Sequence, residues 1–265
     1  MDLQLKGKRA LVSASSSGIG YAIAIKLAQE GAEVILNGRT EQTVQQALGK
    51  AKLDAAEGTF LSLVADIGTA EGAAKAVSQY PEVDILVNNL GIYWASDFDQ
   101  TSDEDWSRIF EVNVMSGVRL TRHYFPRMLE ANWGRVIFIA SESAIMIPKE
   151  MIHYGFSKSA QLAISSGLAQ LTKGTGVTVN SVLPGPTQTD NVIEFMKGLV
   201  PGSESKDADR IGREFVAEHR PSSLLGRLIK PEEIASLVAF VASPLSAATN
   251  GAALRTEGGL VQSIV

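Results

Sequence analysis

The chain has 265 residues, 45% of them hydrophobic, and its 24 Lys+Arg against 29 Asp+Glu leave a formal net charge of −5. That length can bury a large core, and the mild acidity argues against a nucleic-acid binder, which shows a basic face. With no cysteine, disulfide frameworks, thiolate metal sites and cysteine nucleophiles are excluded. The three histidines, His123, His153 and His219, lack the i, i+4 spacing of a helical zinc pair, so no metal site is expected. The first residues show no basic segment followed by an apolar run. The longest nearly apolar stretch, 234–242, is about half of the ~20 residues a membrane span needs. The expectation is a soluble, cytoplasmic protein with no membrane or nucleic-acid partner.

Short β-branched runs then alternate with longer amphipathic ones. Strands are expected at 9–12, 34–37, 60–65, 84–88, 135–140, 178–183 and 252–255. These runs are nearly continuous in apolar residues, as parallel strands buried on both faces require. Helical patterns fall at 19–30, 41–51, 70–79, 104–130, 151–171 and 232–242. Ser102 and Asp105 space as a capping box, and Pro231 suits a first helical turn. The alternation predicts the α/β class: a Rossmann-like, doubly wound parallel sheet of about seven strands with helices on both faces. Residues 1–265 read as a single domain. The polar stretch 187–228 interrupts the rhythm, and is expected to hold one or two short helices over a substrate site rather than a loose loop.

After the first strand comes Ser13-Ala14-Ser15-Ser16-Ser17-Gly18-Ile19-Gly20, running straight into a helix. A turn of small residues there lets backbone N–H groups approach a pyrophosphate at the positive end of the helix. The second strand ends Asn37-Gly38-Arg39, with no acidic residue to accept from a ribose 2′-hydroxyl. Arg39 offers a planar charged fork suited to a 2′-phosphate, although a solvated loop arginine is the plain alternative. NADP(H) is therefore preferred, with NAD(H) possible. Tyr154 and Lys158 are i and i+4, so on a helix they share a face, and Ser141 lies 13 residues before Tyr154. A free tyrosine, with a pKa of about 10, is a poor base near neutrality, and an adjacent lysine ammonium is expected to lower it.

These motifs resemble those of the short-chain dehydrogenases/reductases, in the branch similar to 3-oxoacyl-(acyl carrier protein) reductases. The turn is similar to the family's Thr-Gly-x-x-x-Gly-x-Gly, with Ser13 for Thr and Ala14 for the first Gly, which alone takes a positive φ without strain. Asp66-Ile67 and Asn88-Asn89-Leu90-Gly91 resemble its adenine-contacting Asp and Asn-Asn-Ala-Gly, and Asn113 in Val112-Asn113-Val114 completes its tetrad. Pro184-Gly185-Pro186-Thr187-Gln188-Thr189 resembles its nicotinamide-contacting turn, and Glu257-Gly258-Gly259 its Asp-Gly-Gly.

The resemblance implies an oxidoreductase interconverting a carbonyl and a secondary alcohol. Its catalytic residues would be Asn113, Ser141, Tyr154 and Lys158: Tyr154 as general acid/base, Ser141 holding the substrate oxygen, Asn113 anchoring a relay water. The cofactor set it implies is Ser13, Ser15, Ser17, Gly18, Ile19, Gly20, Asn37, Arg39, Asp66, Ile67, Asn89, Leu90, Gly91, Tyr154, Lys158, Pro184, Gly185, Thr187 and Thr189. The substrate is expected against Tyr93, Trp94, Ser141, Ser143, Met146 and Met151, an apolar bias that suits a hydrophobic carbonyl, such as a 3-oxoacyl group. Plain core packing is an equal account of the methionines. Glu142 and His153 read as turn or interface residues. A homotetramer or homodimer is implied by the family. A cofactor-sensing protein without turnover is the alternative on the same fold.

Overall fold

The computed structural model describes residues 1–198, 200 and 202–264. Its strands are β1 (Arg9–Val12), β2 (Glu33–Gly38), β3 (Thr59–Val64), β4 (Ile85–Asn88), β5 (Gly134–Ile139), β6 (Val177–Pro184) and β7 (Ala253–Thr256). They form one sheet in the order β3-β2-β1-β4-β5-β6-β7, and every pairing is parallel. The helices are α1 (Gly18–Gln29), α2 (Glu41–Asp54), α3 (Ala70–Gln79), α4 (Asp103–Phe110), α5 (Ser116–Glu130), α6 (Ile152–Gln170), α7 (Asp190–Lys197), α8 (Ala208–His219) and α9 (Pro231–Ala242). The class and strand count expected from the sequence are those found.

Alternation within buried strands explains the layers. Ala10 and Val12 of β1, with Val34 and Leu36 of β2, join α1, α2 and α9 in one core cluster. The intervening Leu11 and Ile35 join α3, α5 and the end of α6 in another. Successive strand side chains point to opposite faces, so a strand covered on both sides must be apolar throughout. The order reverses between β1 and β4, which opens a crevice at the carboxyl ends of the strands.

One expected segment differs, and the polar stretch holds the two short helices expected of it. The single helix at 104–130 is interrupted: α4 begins at the Ser102–Asp105 capping box, and a π-helical turn, Glu111–Met115, separates it from α5. A π turn inserts an extra residue and swings the side chains beyond it, a local irregularity common at functional sites. Here it carries Asn113. The stretch 187–228 holds α7, a 3₁₀ turn and α8, whose Met196, Ile211, Phe215 and Val216 pack with Val200 and Leu228 into a small core of their own. Among the described residues, no helix is long and apolar enough to cross a membrane.

Candidate active site

The turn from β1 into α1 is held by its own polar side chains. Ser13 is buried, and its Oγ accepts the N–H groups of Asn89 at 2.9 Å and Leu90 at 3.0 Å. Ser15, also buried, donates to the Val12 carbonyl at 2.7 Å and accepts the Asn37 N–H at 2.8 Å. The Asn37 side chain accepts from the Ala14 N–H at 2.9 Å and donates to the carbonyls of Leu63 and Ala65. Ser13, Ser15 and Asn37 are read from the sequence as cofactor residues; their side chains turn inward as braces, each bonding backbone groups of the packed strand ends. Asn89 adds a further tie, donating to the Ser13 carbonyl at 2.9 Å and the Ala14 carbonyl at 3.2 Å.

What that bracing presents is a helix end suited to an anion. Ser17 caps α1 without a side-chain bond to it, and the first turn carries no acidic residue. The amides of Gly18, Ile19 and Gly20 therefore point out of the positive end of the helix dipole. Gly18 has φ +59°, and a Cβ on Gly20 would lie 2.5 Å from the Ala14 carbonyl oxygen. Ala14, standing where the family has glycine, does take the left-handed conformation, at φ +52°. That costs roughly 1 kcal/mol, borne by the bonds at its N–H and carbonyl. Arg39 is exposed and makes no bond among the described residues, and Asp66 is exposed beyond β3 with its Oδ1 on the Gly68 N–H at 3.0 Å. Thr187 is buried with its hydroxyl on the Gly185 carbonyl, and Thr189 caps α7. These features fit a dinucleotide carrying a 2′-phosphate.

Ser141, Tyr154, Lys158 and Asn113 come together across the crevice. Ser141 follows β5 and caps a 3₁₀ turn, Glu142–Ala144, accepting the Ser143 N–H at 3.1 Å. Tyr154 and Lys158 sit one turn apart on α6, with Lys158 Nζ 5.7 Å from the centre of the tyrosine ring. Lys158 is buried and donates to the Ile139 carbonyl at 2.8 Å and Gln161 Oε1 at 3.3 Å. Gln161 Nε2 donates to the Asn113 carbonyl at 2.6 Å, so a glutamine bridges Lys158 and the Asn113 backbone. The Asn113 side chain holds both backbone groups of Ile92 and donates to Ser157 at 3.0 Å.

The electrostatics correct one expectation. Burial pushes the Tyr154 phenol up, the Glu142 carboxylate adds to that push, and a hydrogen bond with Ser141 opposes it. Burial brings Lys158 down to about 7 against the pull of Glu142. A lysine this desolvated holds its charge weakly, so it does not lower the phenol here. Tyr154 is held as a neutral phenol.

A cavity of about 200 Å³ opens beside these groups. Tyr93, Ser141, Ser143 and Met151 line it as expected, whereas Trp94 and Met146 do not. Trp94 packs on His153, with ring centres 4.6 Å apart, and Met146 lies on the surface. Residues not anticipated also line it, among them Glu142, Phe195, Phe215 and Arg220. The last three come from α7, α8 and the end of α8, the segments over the crevice. Glu142, read from the sequence as a turn or interface residue, does sit in the 3₁₀ turn, and its carboxylate is buried in the cavity wall.

Residues 8–199 match the family model described as short chain dehydrogenase. The chain is 53% identical over 264 residues to the uncharacterized oxidoreductase YvaG of Bacillus subtilis, covering all of both. It is 34% identical to the 3-oxoacyl-[acyl-carrier-protein] reductase FabG of Vibrio cholerae, with 97% of this chain and 99% of the relative covered. L-sorbose reductase from Gluconobacter frateurii, solved with NADPH and L-sorbose, superposes over the whole of both chains with a TM-score of 0.90 at 29% identity. The chain belongs to the short-chain dehydrogenase/reductase family of oxidoreductases.

Proposed function

We propose that this protein is an NADP(H)-dependent oxidoreductase that interconverts a carbonyl and a secondary alcohol in the cavity beneath α7 and α8. The observation that carries this reading is the placement of Ser141, Tyr154 and Lys158 on one cavity, beside a helix end built for phosphate. NADPH in the sorbose reductase and NADP in a related protein of Beutenbergia cavernae, which has a TM-score of 0.86, support the cofactor. The amides at Gly18–Gly20 would take the pyrophosphate, Asp66 the adenine, Asn89 to Gly91 the ribose side, and Lys158 with Gly185 and Thr187 the nicotinamide side. When bound, that cofactor supplies the hydride. Ser141 and Tyr154 then hold the substrate oxygen, and the neutral phenol gives its proton to the developing alkoxide. Lys158 carries a proton loosely near neutrality and restores the phenol from behind. Residues 187–228 serve as the cover of this single cofactor-binding unit.

The wall is apolar where Tyr93, Met151, Phe195 and Phe215 form it, and polar at Glu142 and Arg220. A carbonyl compound with an apolar body, of which a 3-oxoacyl group is one kind, fits the first part. NADPH absorbance followed across a panel of aliphatic, aromatic and hydroxylated ketones tests the reading. Consumption with at least one carbonyl is expected; binding without any consumption points to a cofactor sensor instead.

Arg39 sets the cofactor choice in this account. Arg39→Ala is expected to weaken NADPH by roughly ten- to a hundredfold, the value of one charge-assisted hydrogen-bonded contact, and to leave NADH nearly unchanged. Fluorescence titration with both nucleotides measures this, and an equal loss for the two contradicts it.

A further inference from the structure

A buried carboxylate next to a catalytic serine raises a question of proton supply. Glu142 is 5% exposed and lines the cavity. Ser141 has one hydroxyl proton and two lone pairs. Its Oγ donates that proton to Glu142 Oε2 and accepts the Ser143 N–H at 3.1 Å. An ionised carboxylate only accepts, so while Glu142 is charged the serine proton is committed to it. Ser141 then meets a carbonyl oxygen with a lone pair, which repels. A protonated Glu142 reverses the bond. Its O–H donates to Ser141 Oγ, the Ser143 N–H bond is kept, and the serine proton is free to turn into the cavity.

We propose that Glu142 is a positioning residue for the reduction, acting as a neutral carboxylic acid that donates to Ser141 and so aims the Ser141 proton at the substrate oxygen. This rests on the proposed role of Ser141 in holding that oxygen.

The groups facing Glu142 set when it is neutral. Burial favours the neutral acid and is the largest influence; the Ser141 bond, the charge of Arg220 and hydrogen bonds from the Ser143 backbone and side chain oppose it. Arg220, at the end of α8, has Nε 3.8 Å from Glu142 Oε1 and Nη1 3.8 Å from Glu150 Oε1. Both separations are too long for hydrogen bonds, so Arg220 acts on Glu142 through charge alone and shares that charge with Glu150. From α6, Tyr154 faces it as a neutral phenol and Lys158 as a weakly held cation. Tyr93 closes the same cavity as a second neutral phenol. A carboxyl raised in this way is protonated at lower pH and ionises as pH rises. Its ionisation also raises Tyr154 further, so both effects slow reduction on the alkaline side.

The test is the pH profile of kcat at saturating NADPH, with the ketone of the panel that turns over fastest, for wild type, E142Q, E142A and R220Q. Glutamine donates to Ser141 without ionising. The E142Q profile is expected to lack the alkaline decline, so its rate relative to wild type climbs toward about tenfold per pH unit through that limb. E142A, which removes the donor but cannot claim the serine proton, should lose about tenfold or more in kcat on the acid side, where wild-type Glu142 is neutral, with a smaller change in KM, and the gap should close along the alkaline limb. R220Q, which removes the charge favouring the carboxylate, should shift the wild-type limb to higher pH. An E142Q enzyme as impaired as E142A, or one that keeps the wild-type limb, overturns the proposal. Infrared spectra give a reading without turnover: a protonated carboxyl band present in wild type, absent in E142Q, and lost as pH rises. If no carbonyl is consumed, the function assigned to the site fails; if that band is missing, the role of Glu142 fails on its own.

Discussion

Tyr154→Phe is expected to lower carbonyl reduction by roughly 10²–10⁴-fold, the usual contribution of a positioned general acid. The substitution removes one hydroxyl and little else. The ring keeps its edge-to-face contact with Tyr93, at 6.0 Å between centres, and Lys158 keeps its bonds to Ile139 and Gln161. Burial holds the phenol neutral, so its part is to give a proton to an alkoxide as charge develops there. Because the phosphate turn and Arg39 lie elsewhere, NADPH binding should change by less than about threefold, under 1 kcal/mol. Initial rates of NADPH consumption and a fluorescence titration on the same preparation check both halves. A variant retaining more than about a tenth of the wild-type rate would show that the proton comes from another group.

Gly20→Ala should be the most damaging small change at the cofactor turn. The added Cβ would lie 2.5 Å from the Ala14 carbonyl oxygen and 2.4 Å from Asn89 Nδ2. Contacts so short require a shift. The carbonyl belongs to a backbone already in the left-handed region, and the amide is committed to the carbonyls of Ser13 and Ala14. Relief must therefore open the joint between the turn and the strand β4 end. We expect NADPH to bind roughly a hundredfold more weakly, about 3 kcal/mol, with a lower melting temperature as the Ser13–Asn89 ties loosen. Titration at a temperature where the variant is folded separates the two effects. A dissociation constant within about threefold of wild type would contradict the view that this turn carries the pyrophosphate.

The strands were legible because parallel strands covered on both faces must be apolar without a break. Their limits fell close to the runs read from the sequence, as with Arg9–Val12, found where expected. The interruption at Glu111–Met115 was not legible, since the π turn leaves no breaker residue. At the phosphate turn, small polar residues signalled the motif but not the direction of their side chains. Ser13, Ser15 and Asn37 satisfy buried backbone groups, which only the packed β1, β2 and β4 ends reveal. Tyr154, Lys158 and Ser141 were legible because two share a helix face and the third ends a strand. Gln161 stands one turn beyond Lys158 on that helix, so helical spacing held its signal; nothing local marked it. Arg220 and Glu142 could not be paired from the sequence at all, because folding of the segment over the crevice is what brings them together.

The central claim is hydride transfer between a nicotinamide and a substrate carbon, with the proton supplied from Tyr154. Isotope transfer tests it most directly: NADPH carrying deuterium at nicotinamide C4, prepared separately in each stereochemical position, is consumed with the best ketone of the panel. The product is then examined by mass spectrometry and NMR. The account predicts that one of the two labelled forms delivers deuterium to the carbinol carbon, with the hydroxyl proton coming from solvent. Product alcohol free of deuterium with both forms would contradict it.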